Sequence, residues 1–232
     1  MQRVSGPPLN PRDLELQGTH NTRQLGGLPT RGGVIRPNVI FRSDALQNVT
    51  PADTSTLKGI PVRTVIDFRS QEEIDAEKAA DRYQAPNRLS LPAEVPDFHL
   101  DAEDYRKLLL TMDSTIKGFF TTLAKPENYP VLYHCYSGKD RTGITTALLL
   151  MTLGTPRDVI TSDYMLSQRG QTQKQVDPSW IQVVYDEVDK AGGIDKFLGA
   201  RGVTQQDLYQ VRRYLCQTPV ARENSRGLVA SA

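Results

Sequence analysis

The chain has 232 residues, 38% of them hydrophobic and 24% charged, proportions that suit one globular domain with a sizeable core and exclude a disordered or membrane-embedded chain. Its 28 lysines and arginines stand against 27 acidic residues, so there is no basic surplus for nucleic acid or an anionic bilayer, and any positive potential is local. Two cysteines, Cys135 and Cys216, exclude a disulfide framework, and the absence of any paired-cysteine or cysteine–histidine cluster excludes a structural metal.

In chain order, residues 1–17 carry Pro7, Pro8 and Pro11 among polar neighbours and read as a loose segment without the apolar core of a signal peptide, which makes a cytoplasmic location the expectation. The longest apolar run, around 147–151, is far too short to span a bilayer. Glycines 26, 27, 32 and 33 around Pro29 mark a turn-rich stretch, followed by strands expected near 39–41 and 62–68. From 101 to 124, Tyr105, Leu108, Leu109, Met112, Ile116, Phe119, Phe120 and Leu123 recur at three- and four-residue steps, which predicts one long amphipathic helix and a candidate lid. A short buried strand at 131–133 precedes a helix at 142–153 closed by Gly154 and Pro156; further helices are expected at 156–167, 178–191 and 205–215, and a loose tail at 217–232. The domain is therefore placed at 18–216. Its fold class is α/β, a small mostly parallel sheet of about four or five strands flanked by helices.

The chemistry concentrates in HCYSGKDRTG, His134 to Gly143, between that strand and helix. Cysteine and arginine with five residues between them, on a loop opening into a helix, let successive backbone N–H groups curl into an anion nest backed by the helix N-terminus. Gly138 permits the curl, with Tyr136, Ser137 and Lys139 completing the substrate-binding loop, and Arg141 can grip two phosphate oxygens with its planar fork. Cys135, at the bottom of the cradle, is the expected nucleophile, its thiolate favoured by the helix N-terminus and nearby cations. Thr142 is expected to hydrogen-bond the sulfur as it departs, and His134 to orient the loop. The leaving oxygen needs a proton, and two carboxyls compete on the sequence: Asp67, ending a strand beside 131–133, and Asp140, inside the loop. Asp44 and Asp163 are weaker outsiders. Arg42 and Arg69 are candidates to rim the pocket, His20 and Asn21 to brace a loop, and His99 reads as a surface histidine.

HCYSGKDRTG resembles the signature loop of the protein tyrosine phosphatase superfamily. With HNTRQLGG at 20–27, FRSDAL at 41–46, TVIDFRSQEE at 64–73 and DYMLS at 163–167, the chain is similar over roughly 18–216 to the bacterial and fungal branch that includes a secreted mycobacterial phosphatase. The resemblance implies Cys135 as nucleophile, Arg141 as phosphate ligand, and Lys139 with Asp140 as the loop pair associated with phosphoinositide as well as phosphoprotein substrates. It implies a metal-independent reaction without a cofactor, on a phosphorylated protein or phosphoinositide. Gln24 departs from the aspartate usual in the NxRxLGG element, and the tryptophan–proline–aspartate loop of the large tyrosine phosphatases is absent, so their acid does not transfer. Beside the enzyme stand a phospho-ligand binding module without turnover and, as a third class, sulfur transfer or arsenate reduction; the last needs a second cysteine close to Cys135.

Overall fold

The computed structural model describes residues 10–76, 81–94, 101–168 and 176–218; His99 and the outermost parts of the expected loose ends lie outside the described residues. The chain order is β1 (Arg23–Gln24), β2 (Pro29–Thr30), β3 (Gly33–Ile35), β4 (Ile40–Ser43), α1 (Pro51–Gly59), β5 (Thr64–Asp67), α2 (Gln71–Ala76) and β6 (Asn87–Ser90). There follow α3 (Ala102–Thr111), α4 (Asp113–Leu123), β7 (Val131–His134), α5 (Asp140–Leu153), α6 (Arg157–Met165), α7 (Pro178–Lys190), α8 (Ile194–Gly199), α9 (Gln205–Leu215) and β8 (Cys216–Gln217).

Five strands form one sheet in the order β1-β4-β7-β5-β6, parallel except for β1 against β4. Successive side chains of a strand point to opposite faces, and both faces here are buried. Val131 and Tyr133 of β7 join a large core with α3, α4, α5, α7 and α9, whereas Leu132 joins a smaller core with Leu57 of α1. The three central strands end level, since Ser43 and Asp67 both pair with His134. Whatever follows His134 therefore emerges at the carboxyl edge of the sheet, where open α/β sheets place ligands. The expected fold class is the one observed. A second sheet, β2-β3-β8, pairs Ile35 with Cys216 and Val34 with Gln217, so the end of α9 is stitched to the turn-rich stretch.

The single helix expected over 101–124 is two. Met112 leaves helical geometry at φ −89° and ψ 15°, ending α3 and opening α4. The apolar stripe continues across the break but serves two partners, with α3 packing on α7 and α4 on α9. A straight helix would have kept one partner at the expense of the other.

α5 is buried almost all round, a central rather than a surface helix. Its buried threonines are satisfied within the helix: Thr145, Thr146 and Thr152 donate to the carbonyls of Arg141, Thr142 and Leu148 at 2.8, 2.6 and 2.8 Å. Gly154, at φ 76°, closes it in the left-handed conformation. The two cysteines sit at opposite ends of α5. Cys135 precedes its N-terminus, while Cys216 lines a cavity of about 660 Å³ with Leu153 and Gly154 at its C-terminus. Fourteen helical residues separate the ends by roughly 20 Å, and a disulfide needs Cα atoms about 6 Å apart, so the two thiols cannot pair.

Of the segment expected to be loose, residues 10–17 are held. Asp53 caps α1 with Thr50 and accepts from the backbone N–H groups of Gln17 and Gly18 at 2.7 and 2.9 Å, Leu16 is buried, and Arg12 reaches Asp163 at 2.8 Å.

Candidate active site

The loop from Cys135 to Lys139 runs from β7 to the N-terminus of α5, and its carbonyls are tied outward. Tyr136 O accepts from Ala45 N–H at 3.0 Å. Asn21 Nδ2 donates to Ser137 O and Gly138 O at 3.0 and 3.1 Å, and Arg42 Nη2 donates to Gly138 O at 2.8 Å. Three consecutive carbonyls are thus held by the scaffold, an arrangement compatible with N–H groups turned to the interior of the loop. Gly138 has φ 65°, and a Cβ there would lie 2.5 Å from Ser43 O, so the close approach of loop to β4 requires glycine.

Arg42, which ties the loop, is itself anchored by Asp163. This carboxylate receives Arg42 Nη1 at 2.8 Å, Arg23 Nε at 3.1 Å and Arg12 at 2.8 Å, and Arg23 also donates to Asn21 Oδ1 at 2.5 Å. Burial opposes the charge on Asp163, but Arg23, Arg42 and Arg12 outweigh it and hold the carboxyl well below the usual carboxylate range. Arg42 was expected at the pocket rim. Its side chain is instead fully buried and bonded to Gly138 O and Asp163, which braces the loop from behind. Asn21 braces the loop as anticipated. Asp44, an outsider for the acid role, accepts the N–H groups of His20 and Asn21, and burial raises its carboxyl.

Beneath the loop lies a buried ionic cluster. Arg69 holds Asp67 through its backbone N–H at 2.9 Å, Nε at 3.0 Å and Nη2 at 2.7 Å, and reaches Asp81 at 2.8 Å. His134 places Nε2 3.0 Å from Asp81, with Nδ1 3.1 Å from Cys135 O. Burial opposes protonation of His134, but Asp81 and Asp67 prevail and raise it above the ordinary histidine value. Asp67, Asp81 and His134 have donors of the right type for a metal ion. The Arg69 guanidinium already spans both carboxylates, so the cluster is an ion-paired network. Asp67 is thus fixed by Arg69, and the His134 side chain, expected to orient the loop, points into this network. Arg69 is equally buried and does not rim the pocket.

Arg141 is gripped end-on by Glu73, Nη1 to Oε2 at 2.5 Å and Nη2 to Oε1 at 2.6 Å, with Nη1 also 3.2 Å from the carbonyls of Phe68 and Ala93. Its Nε has no hydrogen-bond partner among the described residues. Thr142 is fully buried and its hydroxyl has no hydrogen-bond partner among the described residues. The reason is local: the carbonyl four residues earlier, Gly138 O, is already saturated by Asn21 and Arg42, so Thr142 cannot bond back as the other α5 threonines do.

Asp140 opens α5 at the rim. Its Oδ1 accepts from the Tyr105 hydroxyl and lies 3.3 Å from Lys139 Nζ, and Tyr105 is 2.5 Å from the Tyr164 hydroxyl. The Lys139 ammonium sits 5.1 Å over Trp180 and is almost fully buried. Tyr136 is the exposed aromatic of the loop, at 37%. Glu73, Asp81, Tyr105 and Tyr164 went unassigned in the sequence. Glu73 had a signal, since Ser70 and Glu73 form a capping box at the start of α2, Ser70 N–H to Glu73 Oε2 at 2.8 Å and Glu73 N–H to Ser70 Oγ at 3.1 Å. Nothing local marks the other three.

A cysteine–arginine phosphate loop between the central strand of a parallel sheet and a buried helix is the arrangement of the tyrosine phosphatase class, whose members are phosphate-ester hydrolases. The profile described as the tyrosine phosphatase family matches residues 14–217, and the chain belongs to that family. It is 30% identical over 194 residues, 72% of this chain and 70% of the other, to a Cupriavidus necator protein described as a tyrosine-protein phosphatase. It is 29% identical over 193 residues, 66% of this chain and 68% of the other, to the triple specificity protein phosphatase PtpB of Mycobacterium tuberculosis. Among solved structures, TpbA of P. aeruginosa in complex with phosphotyrosine superposes with a TM-score of 0.41 at 16% identity, covering 74% of this chain and 90% of that one. The protein is a phosphatase, and its substrate carries phosphate.

Proposed function

We propose that the protein hydrolyses phosphomonoesters, phosphotyrosine first and phosphoserine, phosphothreonine and phosphoinositides as a wider range, through a phosphocysteine on Cys135. The observation that carries this reading is the outward tethering of the Tyr136, Ser137 and Gly138 carbonyls in the loop between Cys135 and Arg141, which favours N–H groups turned inward as an anion nest. The Cys135 thiolate attacks phosphorus in line, the bond to the leaving oxygen breaks, and Asp140 supplies that oxygen with a proton. Water then attacks the phosphocysteine and gives its proton to the Asp140 carboxylate. The P–S bond breaks, and the sulfur leaves as thiolate with the unpartnered Thr142 hydroxyl to stabilise it. Arg141 and the loop N–H groups hold the equatorial oxygens through both steps. Asp140 is preferred to Asp67 as the acid because Asp67 is immobilised by Arg69, whereas Asp140 stands at the rim. The exposed Tyr136 ring beside the cavity suits an aryl ester.

The test is phosphate release from phosphotyrosine, phosphoserine and phosphothreonine peptides and from phosphoinositides, without added metal, by the wild type and Cys135→Ser. Release that disappears in the variant, greatest with phosphotyrosine, is the expected result. Tight binding of any of these ligands without turnover by the wild type would overturn it in favour of a phosphate-reading module.

A further inference from the structure

The carboxyl at the rim is not held by the loop alone. Tyr105 comes from α3, Tyr164 from α6 and Trp180 from α7, and all three converge on the last residues of the loop. The Tyr105 ring packs on Trp180, with centroids 5.4 Å apart, and edge-on to Tyr164 at 6.2 Å. Tyr105 has one hydroxyl proton, and it is directed to Asp140 Oδ1, so the Tyr164 hydroxyl, 2.5 Å away, must donate to the Tyr105 oxygen. The result is a directed chain, Tyr164 to Tyr105 to Asp140. Lys139 Nζ approaches the same Oδ1 at 3.3 Å. Asp140 Oδ2 has no hydrogen-bond partner among the described residues.

Resting on the assignment of Asp140 as the acid, we propose that Tyr105 is a positioning residue that occupies Asp140 Oδ1, so that the proton transferred to the leaving oxygen is carried on Oδ2 and aimed into the cradle. A carboxyl free to rotate presents either oxygen, and a proton on Oδ1 would face the phenols. With Oδ1 engaged by a donor, protonation is directed to Oδ2, and in the second step the same oxygen receives the proton of the attacking water. Tyr105 keeps its own proton throughout. Both phenols are suited to this, since burial first, and for Tyr105 the neighbouring Asp140 charge, push their ionisation well above the ordinary tyrosine value. The contact also gives α3 a direct hold on the last residues of the loop.

The experiment compares Tyr105→Phe, Tyr164→Phe and Asp140→Asn with two aryl phosphates, one with a good and one with a basic leaving group. Tyr105→Phe keeps the ring stack and removes only the donor, and thermal unfolding checks that it folds. An acid matters most when the leaving group is basic, so kcat/KM for the basic leaving group should fall about tenfold in Tyr105→Phe and much less for the good one. Tyr164→Phe should show the same discrimination to a smaller degree, and Tyr105→Phe should add nothing in an Asp140→Asn background. Equal loss with both leaving groups would mean a structural role and overturn the inference while leaving Asp140 in place. An Asp140→Asn variant that itself shows no leaving-group dependence would overturn the acid assignment and this inference with it.

Discussion

Glu73 determines how Arg141 waits for phosphate. An arginine has two usable edges, and the end-on pair of Nη atoms is committed to Glu73, leaving the side-on edge through Nε for a bidentate grip. Burial works against the Glu73 charge, but its bonds to Arg141 and Ser70 keep the carboxyl below its usual range, so the clamp is ionic at neutral pH. Glu73→Gln keeps the shape and removes the charge. Its kcat/KM is expected to fall about tenfold, with a matching rise in the inhibition constant of vanadate, because misplacing a positioning group by a fraction of an ångström costs rate out of proportion to stability. The pair is partly exposed on the Glu73 side and contributes about 1 kcal/mol or less to folding, so thermal unfolding should move little. The order of strand, loop and helix around Cys135 and Arg141 was legible, and β7 and α5 flank that loop. Arg42 was misjudged because a run such as FRSD does not reveal that the guanidinium turns away from the cavity onto Asp163, 121 residues later.

The loop works as an element because three others hold it. β4 presses on Gly138, the stretch carrying Asn21 ties two carbonyls, and α6 supplies Asp163 to fix Arg42 and Arg23. Gly138→Ala combines a left-handed φ with a Cβ that collides with backbone, which cannot swing aside as a side chain can. It should cost roughly 2 kcal/mol or more in denaturant unfolding and lower kcat/KM by at least about a hundredfold. A variant with wild-type turnover would show that the curl is not required. At this scale the sequence was readable where periodicity met a cap, as at α9 and at the Gly154 end of α5. The break at Met112 was not readable, because the apolar pattern runs on unbroken and the interruption arises from having two partner helices. Gln24 keeps a place in the fold despite departing from the family pattern, since its Oε1 accepts the Asn38 N–H at 3.0 Å across the turn.

For the molecule as a whole, the charge network under the sheet edge couples stability to pH. His134 titrates above its unfolded value near 6.5, so its contribution is complete below about pH 6.5 and is lost as pH rises through the raised folded value. Asp81 and Asp163 titrate far below theirs; their contribution is complete above about pH 4 and is lost as pH falls through the depressed values. Thermal midpoints measured from about pH 6 to about pH 9 should therefore decline toward the alkaline end, and Asp81→Asn, less stable throughout, should flatten that decline. A wild-type midpoint that stays level over this range would mean that His134 is neutral in the folded protein.

The strand order has a consequence in time. β7 lies between β4 and β5, yet it is made after both, so during synthesis the two earlier parallel strands have no common neighbour until residue 134 is available. All of its pairings are distant along the chain, the kind of contact that makes folding slow and leaves strand edges open meanwhile. The phosphate loop begins at the residue after β7. The loop is consequently shaped only when the sheet closes around its last strand, and partly folded chains carry Cys135 without the scaffold that surrounds it.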